Sequence, residues 1–170
     1  LDALDKLDSL SKLHDKGSFR SLCEKLSIPV PRQWSLTELT NVGNRRLIVK
    51  PVDGFSGKGV NVVGGDEPMS IEEAVAIARE ISCSDAVIVE DCMEGQLSSF
   101  SAFIDDGAIY SAFIVKVFGF TNRLVVDTSS VQRHDKHFDT LAQHTVSSVS
   151  ELNIKAEFLN LHYIDTGKQV

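Results

Sequence analysis

Cysteine is scarce in this sequence, and basic residues are outnumbered by acidic ones. Cys23, Cys83 and Cys92 are odd in number and far apart, with no CxxC pair and no Cys/His ligand spacing. That argues against a disulfide framework or a zinc site and suits inert thiols in a reducing cytoplasm. Seventeen Lys and Arg face twenty-four Asp and Glu, a net charge of −7. No dense Lys/Arg run supplies the basic face that a nucleic-acid binder uses against phosphates. No apolar run approaches the ~20 residues that a membrane span needs. No signal peptide is visible, because Leu1 opens a charged, periodic segment. Collagen-like, coiled-coil and internal repeats are missing too. What is present is 170 residues, 42% hydrophobic and 24% charged. That is an ordinary composition for a globular chain and not for a disordered one.

Leu1, Leu4, Leu7, Leu10 and Leu13 recur at near-helical spacing with polar residues between them, which predicts an amphipathic helix. A second helix is expected from about Lys16 to Leu26, burying Phe19, Leu22, Cys23 and Leu26. Ile28-Pro29-Val30-Pro31 ends it. Leu47 to Pro51 reads as a buried strand with its proline at the exit. Asp53 to Gly59 is a glycine-rich loop, and Val60 to Val63 returns as a strand. Ser70 and Glu73 form a capping box before a helix that buries Ile71, Ala74, Val75, Ala78 and Ile81. Ala86 to Glu90 is the next strand. Ser99–Ile104 and Ala108–Phe118 flank Asp105-Asp106-Gly107, a strong hairpin signal. A strand over Arg123–Asp127, a helix from Phe138 to Val149 and a strand over Phe158–Ile164 complete the pattern. Asp165-Thr166-Gly167 opens a turn whose second strand is not in the chain, and the first residue is not Met. Both suggest a piece of a longer protein.

The segment that carries chemistry is Val49-Lys50-Pro51-Val52-Asp53-Gly54-Phe55-Ser56-Gly57-Lys58-Gly59-Val60. Glycines let backbone N–H groups approach an anion, Lys50 and Lys58 add positive charge, and Ser56 can donate a hydrogen bond. Two familiar phosphate loops do not match. Gly57-Lys58 is followed by Gly59 and a strand rather than by Ser/Thr and a helix, and the GxGxxG spacing is absent. On its own the segment reads more readily as an ordinary hairpin loop than as a phosphate cradle.

Its neighbours add to it. Asp15-Lys16 starts a helix that leads to Ile28-Pro29-Val30-Pro31. Val49-Lys50-Pro51 and the loop follow, and later Val87-Ile88-Val89-Glu90-Asp91-Cys92-Met93-Glu94-Gly95. This ordered set resembles the ATP-grasp superfamily of ATP-dependent ligases, closely over residues 15–118 and loosely over 119–170. The resemblance implies an α+β fold of two subdomains, each a mainly antiparallel sheet with helices, and ATP between them. It implies a small subdomain over 16–93 and a larger, C-terminally truncated one over 94–170. Residues 1–15 would be the tail helix of a missing N-terminal domain. Lys16 and Lys50 match the family's two phosphate-contacting lysines, and Ser56, Gly57, Lys58 and Gly59 match the mobile loop over the phosphates. Glu90 matches the residue at the adenine amino group, and Met93 the position whose backbone pairs with adenine. Asp91 and Cys92 lie in the same nucleotide-binding segment. Bland alternatives stand beside these: a solvated helix charge for Lys16 and a plain core side chain for Met93.

Two departures from the family pattern stand out. Where many members carry a ribose-binding glutamate, this chain has Leu97, so Gln96 or Glu94 would substitute. Phe158-Leu159-Asn160-Leu161-His162-Tyr163 resembles the strand that carries the first metal ligand. His162 then stands where Gln, Glu or Asp is usual, with Glu157 the alternative in another register. Histidine suits Mg²⁺ poorly, since that ion prefers oxygen. Lys116, Arg123, Arg133, His134 and His137 match regions that hold the acyl phosphate or the second substrate, with Lys116 and Arg123 the catalytic candidates. The implied function is an ATP- and Mg²⁺-dependent ligase that activates an unknown small carboxylate as an acyl phosphate for attack by an amine or similar nucleophile. An ATP-grasp phosphotransferase and a non-catalytic nucleotide-binding module are the alternatives. Neither nucleic acid nor membrane is an expected partner, and oligomeric assembly is left open.

Overall fold

The structure, a computed structural model, describes residues 7–118, 128–132 and 135–167. It divides into two compact units. The first joins 14–20 to 30–93, and the second joins the described residues of 1–13 to 21–29 and 94–170. All strand pairings are antiparallel.

The first unit is a four-stranded sheet in the order β1–β4–β2–β3: Gln33–Trp34, Val87–Asp91, Leu47–Pro51 and Asn61–Val63. Along β2 the alternation is strict. Leu47, Val49 and Pro51 are buried, whereas Ile48 and Lys50 face the other side. Helix α3 (Ile71–Ile81) covers the buried side and is started by Ser70, which accepts from the Glu73 N–H while Glu73 accepts from the Ser70 N–H. This reciprocal cap satisfies two orphan donors. Ala74 and Ala78, one helical turn apart and fully buried, let the helix lie close to Leu47, Val49, Val63 and Val89. Strand β1 was not expected. Its two residues follow the Pro29-Val30-Pro31-Arg32 segment and are too few to show an alternation.

The second unit is a sheet in the order β7–β6–β5–β8. β5 (Gln96–Asp105) and β6 (Ala108–Phe118) form the expected hairpin. Asp106 and Gly107 both have positive φ, +46° and +76°, as a two-residue hairpin turn demands. β8 (Ala156–Asp165) pairs along all of β5. β7 (Thr128–Gln132) edges the sheet, and its exposed Thr-Ser-Ser run hides it from a hydrophobicity reading. The expected strand over Arg123–Asp127 lies outside the described residues, as do Arg133 and His134. Helix α4 (Phe138–Leu152) packs on Phe100, Ala102, Ile104, Ile114 and Leu159 through Leu141 and Val149. Leu13, near the end of α1 (Leu7–His14), joins the same core. Helix α2 (Lys16–Lys25) contributes Lys25, whose ammonium lies 2.5 Å from Glu151. Ser27, at φ +57°, turns the chain out of α2, and the Ile28 N–H closes back on the Cys23 carbonyl at 2.8 Å. No helix among the described residues is long and apolar enough to cross a membrane.

Strand β5 supplies a direct test of which sheet face is the core. Phe100 is fully buried and meets Phe138 edge-on at 5.4 Å, whereas Phe103 is 46% exposed and stacks only on Phe158. Phe100→Ala is expected to cost about 3–5 kcal/mol, and Phe103→Ala about 1 kcal/mol, both read by urea denaturation. Equal costs would place the core on the wrong face.

Candidate functional site

In the first unit, cross-strand register builds the site. Ile48 pairs with Glu90 and Lys50 with Ile88, so Lys50 and Glu90 are diagonal neighbours on the sheet face opposite α3. The start of α2 belongs to this unit. Asp15 caps it by accepting the Ser18 N–H at 2.7 Å. Lys16 and Arg20 are then one helical turn apart and share a side. Glu90 is 7% exposed and holds two cations: Oε1 meets the Arg20 guanidinium at 2.8 Å, and Oε2 meets the Lys50 ammonium.

The Lys16 ammonium donates to the Val52 carbonyl at 3.3 Å and to the Gly54 carbonyl, fastening the helix start to the loop. Burial holds the Lys16 pKa below its ordinary value, and the Lys50 charge pushes the same way. Asp53, Asp15 and Glu90 pull it back up. The Lys16 and Lys50 ammonium groups thus feel each other's charge in a half-buried place, with the three carboxylates offsetting it. Asp53, at the loop entrance, accepts from the Ser84 N–H at 3.1 Å. Its carboxyl is held below the usual range, first by a hydrogen bond from Ser82.

The loop is shaped by its small residues. A Cβ on Gly54 would sit 2.4 Å from the Pro51 ring. Ser56, Gly57 and Gly59 all have positive φ, and the Val60 N–H closes on the Gly57 carbonyl at 3.2 Å. The Lys58 ammonium lies 5.8 Å from the Phe55 ring, which is 74% exposed. Further along, Asp91 accepts the Trp34 indole N–H at 2.8 Å, so its carboxylate serves the sheet. The Asp91 and Cys92 N–H groups donate to the Arg32 and Arg46 carbonyls at 2.9 and 3.0 Å and are spent there. Met93 is 38% exposed.

The second unit holds the other candidates. The Gln96 amide donates to the Leu97 and Val117 carbonyls, both at 2.8 Å, which ties β5 to β6. A Cβ on Gly95 would lie 2.3 Å from the Asp165 carbonyl oxygen, so only glycine fits there. Lys116 is half-buried on β6, opposite Ser98 on one side and Ser130 on the other. Arg123 is outside the described residues.

The two metal candidates do not come together. Glu157 pairs with Ile104 on the face packed against α4, and its carboxylate accepts the Phe158 N–H at 2.8 Å. His162 pairs with Ser99 on the opposite face, 3.4 Å from the Asn160 amide nitrogen. Five residues along a strand separate them by about 16 Å and reverse the face. Among the described residues no three His, Cys, Asp or Glu side chains gather as a metal set. Of these two alternatives for one ligand position, Glu157 offers the oxygen that Mg²⁺ prefers and His162 does not.

Sequence reasoning missed Arg20 and one further cluster. Asp165 takes Lys136 at 3.1 Å and His137 at 3.0 Å, and accepts the Gly167 N–H at 2.8 Å. That last bond, followed by those from His137 and Lys136, holds the Asp165 carboxyl far below the usual range. Asp135 accepts the His137 N–H at 2.9 Å.

No protein-family model and no curated protein matches this sequence. Solved structures do. The D-alanine–D-alanine ligase of Coxiella burnetii is 15% identical, with a TM-score of 0.73 over 98% of this chain and 48% of its own. The D-alanine–D-alanine ligase of Bacillus anthracis, solved with ATP, is 17% identical, with a TM-score of 0.64 over 92% of this chain and 52% of its own. Rhizobium etli pyruvate carboxylase is 17% identical, with a TM-score of 0.74 over 95% of this chain and 15% of its own. At these identities the likeness establishes the fold, and the chain has the ATP-grasp fold. It spans about half or less of each of these proteins.

Lysine proximity is open to direct measurement. Lys50→Met is expected to raise the Lys16 pKa, read by NMR titration of the lysine side chains. An unchanged value would mean that the two ammonium groups are apart. Because the folded pKa lies below the ordinary 10.5, the unfolded chain binds more protons in the interval between them. Stability therefore rises with pH through that interval. The parent should gain on Lys16→Met between pH 7 and pH 10 in denaturant unfolding.

Proposed function

We propose that this chain is the ATP-binding part of an ATP-dependent ligase that activates a carboxylate as an acyl phosphate for attack by an amine or similar nucleophile. The observation that carries the reading is the gathering of Lys16, Lys50 and the 53–60 loop on one face of the first unit, within this fold. The B. anthracis ligase of the same fold was solved with ATP, and the names of the neighbours include ligases that join amino acids.

The chemistry asked of the chain is mostly electrostatic. A carboxylate oxygen attacks the terminal phosphorus, and ADP leaves. The nucleophile then attacks the acyl carbon, and phosphate leaves with the bonding pair. Charge on the phosphoryl oxygens is met by the Lys16 and Lys50 ammonium groups and by loop N–H donors held in place beforehand. Glu90 and the segment to Met93 are assigned to the adenine end, with the Asp91 and Cys92 N–H groups left to the sheet. Lys116 is assigned to the acyl phosphate or the second substrate. Mg²⁺ is proposed as the cation that accompanies ATP, not as an ion held by Glu157 and His162. Three cysteines outside any disulfide suit a cytoplasmic setting. Leu97 in place of a ribose-binding glutamate and His162 in place of an oxygen ligand favour one second reading, a nucleotide-binding module without turnover.

ATP with Mg²⁺ at 100 times its Kd should stabilise the chain by about 2.7 kcal/mol, seen as a raised unfolding midpoint. Lys50→Ala should show no such shift. A shift equal to the parent's in that variant would count against the assignment.

A further inference from the structure

We propose that Arg20 is a positioning residue of the nucleotide site: it holds the Glu90 carboxylate so that Lys50 is free to leave it for the phosphate chain. This rests on the ATP-binding reading above. Glu90 is buried, and an isolated buried carboxylate is heavily penalised. Its two oxygens are divided between two cations of different character. The Arg20 side chain is 11% exposed and sits 2.8 Å from Oε1, whereas the Lys50 side chain is 25% exposed and meets Oε2. A guanidinium is always charged and its fork is rigid. A lysine carries a compact charge on a flexible four-carbon stem. Arg20 is thus the permanent partner and Lys50 the exchangeable one.

Without Arg20, Lys50 would be the only cation among the described residues paired with Glu90. Drawing it to a ligand would then strand the carboxylate, and ATP binding would pay that cost. The Lys16 ammonium reaches instead to the Val52 and Gly54 carbonyls at the loop. The helix supplies both roles from one face. Residue 16 reaches the loop and residue 20, one turn later, reaches the strand.

The test is calorimetry of ATP with Mg²⁺ on the parent, Arg20→Gln, Arg20→Lys, Glu90→Gln and the Arg20→Gln/Glu90→Gln double variant. Arg20→Gln should weaken ATP binding about tenfold, within the coupling range of residues in one network. Arg20→Lys should restore most of it. In the Glu90→Gln background, with no charge left to hold, Arg20→Gln should change affinity by less than about twofold. An Arg20→Gln variant that binds ATP like the parent overturns the proposal, and so does an equal loss in both backgrounds. Should Arg20→Gln not fold alone, the comparison of Glu90→Gln with the double variant decides, and a tenfold gap between those two overturns the assignment. Parent binding that Lys50→Ala abolishes and Arg20→Gln leaves intact sinks the Arg20 role alone. A parent with no affinity for ATP sinks the nucleotide reading, and this inference with it.

Discussion

One buried carboxylate organises the first unit. Glu90 takes Arg20 on one oxygen and Lys50 on the other, on the sheet face that α3 leaves uncovered. Because of it, a lysine can sit in the middle of an apolar strand without an isolated charge. The same face draws the start of α2 onto the sheet, which brings Lys16 to the loop entrance. Two ammonium groups and a glycine-shaped turn are then held near each other before any ligand arrives. That prearrangement is the form electrostatic stabilisation takes when its cost is met at folding.

The second unit obeys a different logic. Its long hairpin and α4 make a conventional apolar layer on one side of the sheet, with Phe100 and Ile114 fully buried. Polar groups occur where backbone needs partners. Gln96 bridges β5 and β6, and Asp165 collects Lys136, His137 and the Gly167 N–H. Gly95 is required by the nearness of the Asp165 carbonyl.

Much of the fold was legible because it is written in local chemistry. Leu47–Pro51, the Ser70/Glu73 cap and the Asp106-Gly107 turn each carry their own signal, and each element stands within a residue or two of its expected place. β1 and β7 were not legible. One has two residues, and the other is an exposed Thr-Ser-Ser edge paired with β6. In the site, Lys50 stood out as a charge in an apolar strand. Arg20 did not, because an arginine on a helix reads as solvated. Its spacing of four from Lys16 was the available clue. Glu157 and His162 were alternatives for one position, and since the side-chain period of a strand is two, the odd step between them puts them on opposite faces.

The claim at the centre is that Lys16, Lys50 and the loop bind a phosphate chain rather than merely a purine. A calorimetric series of adenosine, AMP, ADP and ATP with Mg²⁺ measures this most directly. Affinity should rise with each added phosphate, and the rise should shrink as salt screens the lysines. Equal affinity for adenosine and ATP, unmoved by salt, would contradict the account.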